Sequence, residues 1–183
     1  MEKVKVTLFY LLVILNSTSM MSQDMVYNFD KNSNLNNWII VNDDVMGGVS
    51  KSNVYINDDS HCVFTGFIST ANNGGFCSLR YYLKRKKINN NEDLMLRIKG
   101  DGKPYQLRIK SNRNDYFSYV FSFETSGDWQ TISVPLKEMF PSFRGRRLNL
   151  QNFSNKYFEE IGILVGNKRN EKFSIIIDKI YLK

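Results

Sequence analysis

The chain has 183 residues, with 25 lysines and arginines against 18 aspartates and glutamates for a net charge of +7, and only one histidine and two cysteines. One histidine and two well-separated cysteines exclude the usual zinc-ligand spacings, and leave His61 as the one imidazole base for a serine nucleophile. A basic balance favours anionic surfaces but mainly governs solubility and association rate, so it names no partner.

In chain order, residues 1–23 come first. Lys3 and Lys5 precede an apolar run over 6–15, and small or polar residues follow over 17–23. That is the order of a secretory signal peptide, and the lack of arginine, with apolar character on all sides, separates it from a mitochondrial presequence. The run is shorter than the ~20 apolar residues that span a bilayer. No later segment comes closer, so no transmembrane helix is expected in the mature chain. Export, periplasmic or secreted, is predicted, with 24–183 as a single domain large enough for a real core. Loss of the leader removes Lys3, Lys5 and Glu2 and leaves the remainder basic.

The asparagine-rich piece 31–37 reads as a solvated loop. Strands are predicted over 39–41, 52–56, 63–69, 76–83, 130–135, 161–165 and 173–182. Leu94, Leu96 and Ile98 alternate with Met95, Arg97 and Lys99, and Tyr105, Leu107 and Ile109 with Gln106, Arg108 and Lys110, which is the period of a half-buried strand. Phe117, Tyr119, Phe121 and Phe123 form one further face, read as core. Turn-forming sets lie at 57–59, 72–75, 89–93, 100–102, 126–128 and 166–167. Helix is confined to short turns at 136–140 and 153–157. Many short strands separated by such turns predict an all-β, antiparallel β-sandwich or jelly roll.

Catalytic patterns are weak. Ser60 and Cys62 flank His61, but neighbours on a strand point to opposite faces, so His61 reads as a strand start. Asp43 and Asp44 are also consecutive, and only one of them could join a remote acid such as Asp101. Nothing in the residue order supports the roughly 5–9.5 Å carboxyl separation of a two-acid glycosidase. Asn57, Asp58 and Asp59 form a solvated turn and match no calcium loop. Arg80 and Lys84, Arg85, Lys86 and Lys87, with Tyr81 and Tyr82 between, read as a strand running into a charged turn, not as a single-stranded nucleic-acid surface. Arg144, Arg146 and Arg147 form a second basic cluster around Gly145. No catalytic residue, metal, cofactor or nucleic acid is expected.

An oxidising compartment raises the question of a Cys62–Cys77 disulfide. If their segments form one hairpin turning near Asn72 and Asn73, the two are offset by roughly six residues, about 20 Å of strand. That exceeds the ~7 Å Cα separation a bridge allows, and the register itself stays open.

Two units are shaped by paired glycines. The first is Asn42, Asp43, Asp44, Val45, Met46, Gly47, Gly48, Val49 and Ser50, entered from Trp38. The second is Asn72, Asn73, Gly74, Gly75, Phe76, Cys77, Ser78, Leu79 and Arg80. Glycine reaches backbone angles closed to other residues, and asparagine and aspartate readily hydrogen-bond nearby main chain. Both units read as shaped loops on a sheet.

With these units, Phe64, Thr65 and Gly66, then Gly100, Asp101 and Gly102 with Tyr105, then Trp129, then Phe143, Arg144, Gly145 and Arg146, and finally Ile161, Gly162 and Ile163 stand in an ordered set. That set resembles the complex I intermediate-associated protein 30 family, from Phe29 to Leu182. The resemblance implies a galactose-binding-like jelly roll. It also implies kinship with mitochondrial assembly factors that hold intermediates of the respiratory NADH dehydrogenase, and with members that carry the domain beside a dehydrogenase-like one. The chain departs from the family pattern where Asn167 to Phe173 lack a glycine and a proline, and at Cys77, where a small residue is usual.

The functional reading is a non-catalytic, exported interaction module, with a protein partner in an envelope-associated complex. In it Asn42, Asp43, Asn73 and Arg80 supply hydrogen bonds, Met46 and Phe76 supply apolar contact, and Gly47, Gly48, Gly74 and Gly75 fix loop shape beside Ser50, Asn72 and Ser78. The other reading of the same residues is mutual loop bracing. A buried Asp43–Arg80 ion pair would favour bracing, and an open groove lined by both would favour recognition. Carbohydrate binding is the alternative function, with Trp38 and Trp129 as the aromatic faces and polysaccharide as the partner.

Overall fold

Alternation of apolar and polar residues organises the core. Leu94, Leu96 and Ile98 are fully buried, as are Leu107 and Ile109 with Tyr105 nearly so, while Met95, Arg97, Gln106 and Arg108 remain partly exposed. Each buried leucine or isoleucine contributes about 1.5–3 kcal/mol relative to exposure, so these two strands each commit one face to the interior. This computed structural model describes residues 23–89 and 92–183. The expected leader at 1–23 lies outside them except for Gln23, and the turn at 89–93 lies partly outside them.

Among the described residues thirteen strands form: β1 (Asp24–Asn28), β2 (Trp38–Asn42), β3 (Lys51–Ile56), β4 (Cys62–Ile68), β5 (Cys77–Lys87), β6 (Asp93–Lys99), β7 (Pro104–Lys110), β8 (Ser118–Glu124), β9 (Trp129–Pro135), β10 (Phe140–Phe143), β11 (Arg146–Arg147), β12 (Tyr157–Val165) and β13 (Glu171–Leu182). One sheet runs β3-β4-β13-β6-β9. β1 joins it on β13, pairing Lys179 to Leu182 where β4 has paired Glu171 to Ile177. The other sheet runs β11-β10-β8-β7-β12-β5-β2. All pairings are antiparallel, and the two inner faces share one core. The sandwich predicted from periodicity is the fold observed.

The differences are local. β1 escapes the period-two pattern because its register slips between Met25 and Tyr27. β10 carries Pro141, a residue that argues against a central strand, and it lies one short strand from the sheet edge. A 3-10 turn forms at Leu136–Glu138 as expected, but residues 153–157 adopt no helical turn and Phe153 instead packs into the core. The Cys62–Cys77 hairpin does not exist: Cys62 on β4 and Cys77 on β5 belong to different sheets. Both are free, buried thiols, and burial pushes each pKa up to about 12.

That separation of β4 from β5 matters for the site. Two of the crossings between sheets lie side by side at one pole of the sandwich, from β2 to β3 through residues 43–50 and from β4 to β5 through residues 69–76. The first crossing leaves where the second arrives, because Asn42 pairs with Cys77 in the β2–β5 ladder.

Candidate functional site

The two crossings are tied together by one carboxylate. After Asn42 the chain makes a 3-10 turn over Asp43–Met46, closed by Gly47 in the left-handed region at φ 87°. The second crossing turns through Asn72 (φ 55°) and Asn73 (φ 59°), both left-handed, as asparagine tolerates better than most residues. Asp43 is completely buried. Its Oδ1 accepts from the Ser50 amide at 2.9 Å, and its Oδ2 accepts from the Ser50 hydroxyl, from the Gly75 amide at 2.5 Å and from the Phe76 amide at 3.3 Å. The Asp43 backbone joins in, since Gly48 N–H donates to its carbonyl at 2.9 Å and its own N–H donates to the Phe76 carbonyl at 3.3 Å. Ser50 extends the knot, because its hydroxyl oxygen accepts from the Ser69 amide at 2.9 Å where β4 ends.

Two of the glycines make room for this carboxylate. A Cβ on Gly48 would lie 2.8 Å or less from Asp43 side-chain atoms, and one on Gly74 would lie 2.5 Å from Asp43 Oδ2. Burial pushes the Asp43 pKa up, but the Ser50 hydroxyl and the Gly75, Ser50 and Phe76 amides outweigh it and hold the carboxyl below its ordinary value of 3.8. The group is ionised, fully hydrogen-bonded and shut away from solvent. Such a carboxylate is a poor base and reaches no ligand; it is a brace.

The structure therefore brings Asp43, Gly48, Ser50, Gly74, Gly75 and Phe76 together. Asn42 is adjacent, but its side chain accepts from the Ser52 hydroxyl at 2.8 Å. Asn72 and Asn73 are exposed at the turn. Ser78 and Arg80 leave the cluster along β5: Ser78 is buried, and Arg80 Nη1 lies 4.0 Å from Glu160. Neither arrangement expected of Asp43 and Arg80 is found, because each has its own partners. Beyond the brace, the first crossing exposes Val45, Met46 and Val49, at 68%, 50% and 48%. Sequence reasoning found Met46 but not its two valine neighbours, although apolar residues inside a turn, outside any strand period, were a readable signal. Ser69 and Glu160 carried no such signal.

The remaining candidates are accounted for structurally. Asp101 forms a second brace, accepting from the Ser174 amide at 2.9 Å, the buried Tyr105 hydroxyl at 3.0 Å and Lys103 Nζ at 2.8 Å. Trp38 is buried among Tyr27, Phe29 and Tyr81. Trp129 packs against His61 at 4.7 Å, with the Arg97 guanidinium 5.3 Å from its ring. His61 thus sits at the far end of the β3–β4 hairpin from Ser50, roughly 17 Å of strand away. Arg144 and Arg147 lie over Phe143 and Phe140 at the β10–β11 turn. Among the described residues no helix is long and apolar enough to cross a membrane.

A sequence profile described as Complex I intermediate-associated protein 30 matches residues 27–177. The mitochondrial complex I intermediate-associated protein 30 of Mus musculus is 24% identical over 180 residues, covering 85% of this chain and 55% of the relative. The probable mitochondrial counterpart of Caenorhabditis briggsae is 29% identical over 182 residues, covering 84% and 52%. The chain spans about half the length of these curated relatives. Among solved structures, the Family 11 carbohydrate-binding module from Clostridium thermocellum, in complex with a β-1,3-1,4-mixed-linked tetrasaccharide, superposes with a TM-score of 0.62 over 87% of this chain and 94% of that one, at 16% identity. At that identity the likeness is one of fold. The relatives' names overturn the expected export, periplasmic or secreted, and with it the envelope-associated partner, since these proteins are mitochondrial. The expectation rests on the composition of residues 1–23 alone, which is a weaker guide to destination than relatives matched over 85% and 84% of the chain.

Proposed function

The chain belongs to the complex I intermediate-associated protein 30 family, and on that premise we propose that it is a non-catalytic, mitochondrial binding domain that holds a protein partner during assembly of respiratory complex I. The observation that carries this reading is the braced first crossing. Asp43 fixes residues 43–50 from within, and the fixed loop holds Val45, Met46 and Val49 in water. Exposed apolar side chains on a rigid loop lose little conformational freedom on binding, which is how preorganisation raises affinity. In this reading the glycines and Asp43 shape the surface and the three apolar residues meet the partner. Residues 24–183 act as one unit.

The test is co-purification from detergent-solubilised mitochondria, with complex I subunits identified by mass spectrometry, for the native chain and a Val45→Ser/Met46→Ser double variant. Retention of complex I subunits by the native chain and a loss of about tenfold in the variant is the expected result. Native protein that retains no complex I subunit, or a variant that retains them undiminished, overturns the proposal. Carbohydrate binding has the fold likeness in its favour, but the two tryptophans it would use are packed against Tyr81 and His61.

A further inference from the structure

The outward face of the seven-stranded sheet carries a cluster that the loop reading leaves unused. In one cross-strand row Ile39 pairs with Arg80, Arg80 with Gly162, Gly162 with Arg108, and Arg108 with Val120. Arg80 and Arg108 thus flank the strand that bears Gly162, two strand spacings or about 9.5 Å apart at the backbone. Gly162 puts no side chain between them and is itself buried, with the Arg80 stem lying over it: a Cβ there would stand 3.0 Å from the Leu79 carbonyl oxygen and 3.3 Å from Arg80 Cγ.

We infer that this row is an oxyanion site, in which Arg80 and Arg108 grip one carboxylate or phosphate group of a ligand across the backbone of Gly162.

The local charge balance supports it. Glu160, two residues before Gly162 and buried, is the acid facing Arg80 and Lys110, and it stands 4.0 Å from Arg80 Nη1 and 4.0 Å from Lys110 Nζ. Lys110 is further held by the Asp115 carbonyl at 2.7 Å. Among the described residues Arg108 forms no ion pair; its Nε and Nη2 donate to Gln106 Oε1 at 3.1 and 2.8 Å. Arg80 Nε donates only to Ser78 Oγ, at 3.4 Å. A guanidinium carries five N–H donors in a planar fork that matches an oxyanion, so most of these donors are free for a ligand. Burial, and next the charge of Arg80, pull the Arg108 pKa down to about 10. The two cations destabilise each other, and an anion between them would relieve that strain.

Isothermal titration of the full chain with inorganic phosphate, and separately with an acetylated triglutamate amide, tests the site in low salt, where charge pairing is least screened. Binding of at least one probe is expected, weakened about tenfold by Arg108→Gln and again by Arg80→Gln, as for loss of a charge-assisted pair. Lys172→Gln, on the other sheet, should leave it unchanged. Tighter binding of phosphate assigns the site to a phosphate group and tighter binding of the peptide to acidic side chains. Thermal melting of each variant shows that it folds. Failure of both probes to bind, or equal weakening by Lys172→Gln, overturns the inference.

Discussion

Gly48 lies against the carboxyl group of Asp43 so closely that a methyl group on its Cα would stand 2.3 Å from Asp43 Cγ and Oδ1. Gly48→Ala must therefore displace the carboxylate from its four donors, and is expected to cost about 3 kcal/mol. Gly47→Ala is the contrast, since a Cβ at Gly47 meets nothing within 4 Å and pays only for its left-handed backbone, about 1 kcal/mol. Urea unfolding of both variants reads the difference, and equal midpoints would contradict the tight contact.

Asp43→Asn places an amide NH2 among N–H and O–H donors, leaving buried donors unpaired, and should lower stability by about 3 kcal/mol. The effect depends on pH with a fixed sign. Asp43 has a folded pKa below 3.8, so its contribution is complete above that value and is lost as pH falls through the lower folded pKa. Glu160 has the opposite sign. Burial raises its pKa above 4.5 despite the nearby Lys110, Arg80 and Arg113, so its contribution is present below 4.5 and is lost as pH rises through the higher folded value. Across an acid titration of stability, the gap between native protein and Asp43→Asn should widen with rising pH, and the gap to Glu160→Gln should shift the other way.

Cys62 and Cys77 should resist iodoacetamide at neutral pH in the folded chain, because both are buried with pKa values near 12 and the thiolate is the reactive form. Denaturation should expose both to modification. Mass spectrometry before and after unfolding measures it, and rapid native labelling of either thiol would place that residue at the surface.

Asp101→Ala removes the acceptor shared by the Ser174 amide and the Tyr105 hydroxyl, two groups from different sheets. A loss of about 2 kcal/mol is expected, seen as a lower melting temperature with the Val45 and Met46 surface intact. An unchanged melting temperature would mean that water replaces both bonds.

Most of the architecture was legible in the sequence because strand alternation is a local signal. Leu94, Leu96 and Ile98 announce their face without reference to any other segment. Pairing is not local, and a hairpin holding Cys62 and Cys77 is only one register their sequence allows; their strands in fact enter opposite sheets. The glycine-paired loops were legible as shaped, through Gly47, Gly48, Gly74 and Gly75. That Asp43 faces inward to amides of a segment more than thirty residues away was not, because an aspartate in a turn has the same sequence signature whether it faces water or main chain. The cluster of Arg80, Arg108 and Glu160 is hidden for a similar reason: three strands distant in sequence must be laid side by side before these side chains share one face.

β13 runs from Glu171, beside the crossings, to Leu182, which pairs with Asp24 of β1. Both ends of the described chain therefore emerge together, roughly 35 Å of extended backbone from Val45 and Met46. A leader, tag or additional domain joined at either end would hang from the base of the molecule and leave its crown open, so tethered and free forms should engage the same partner alike.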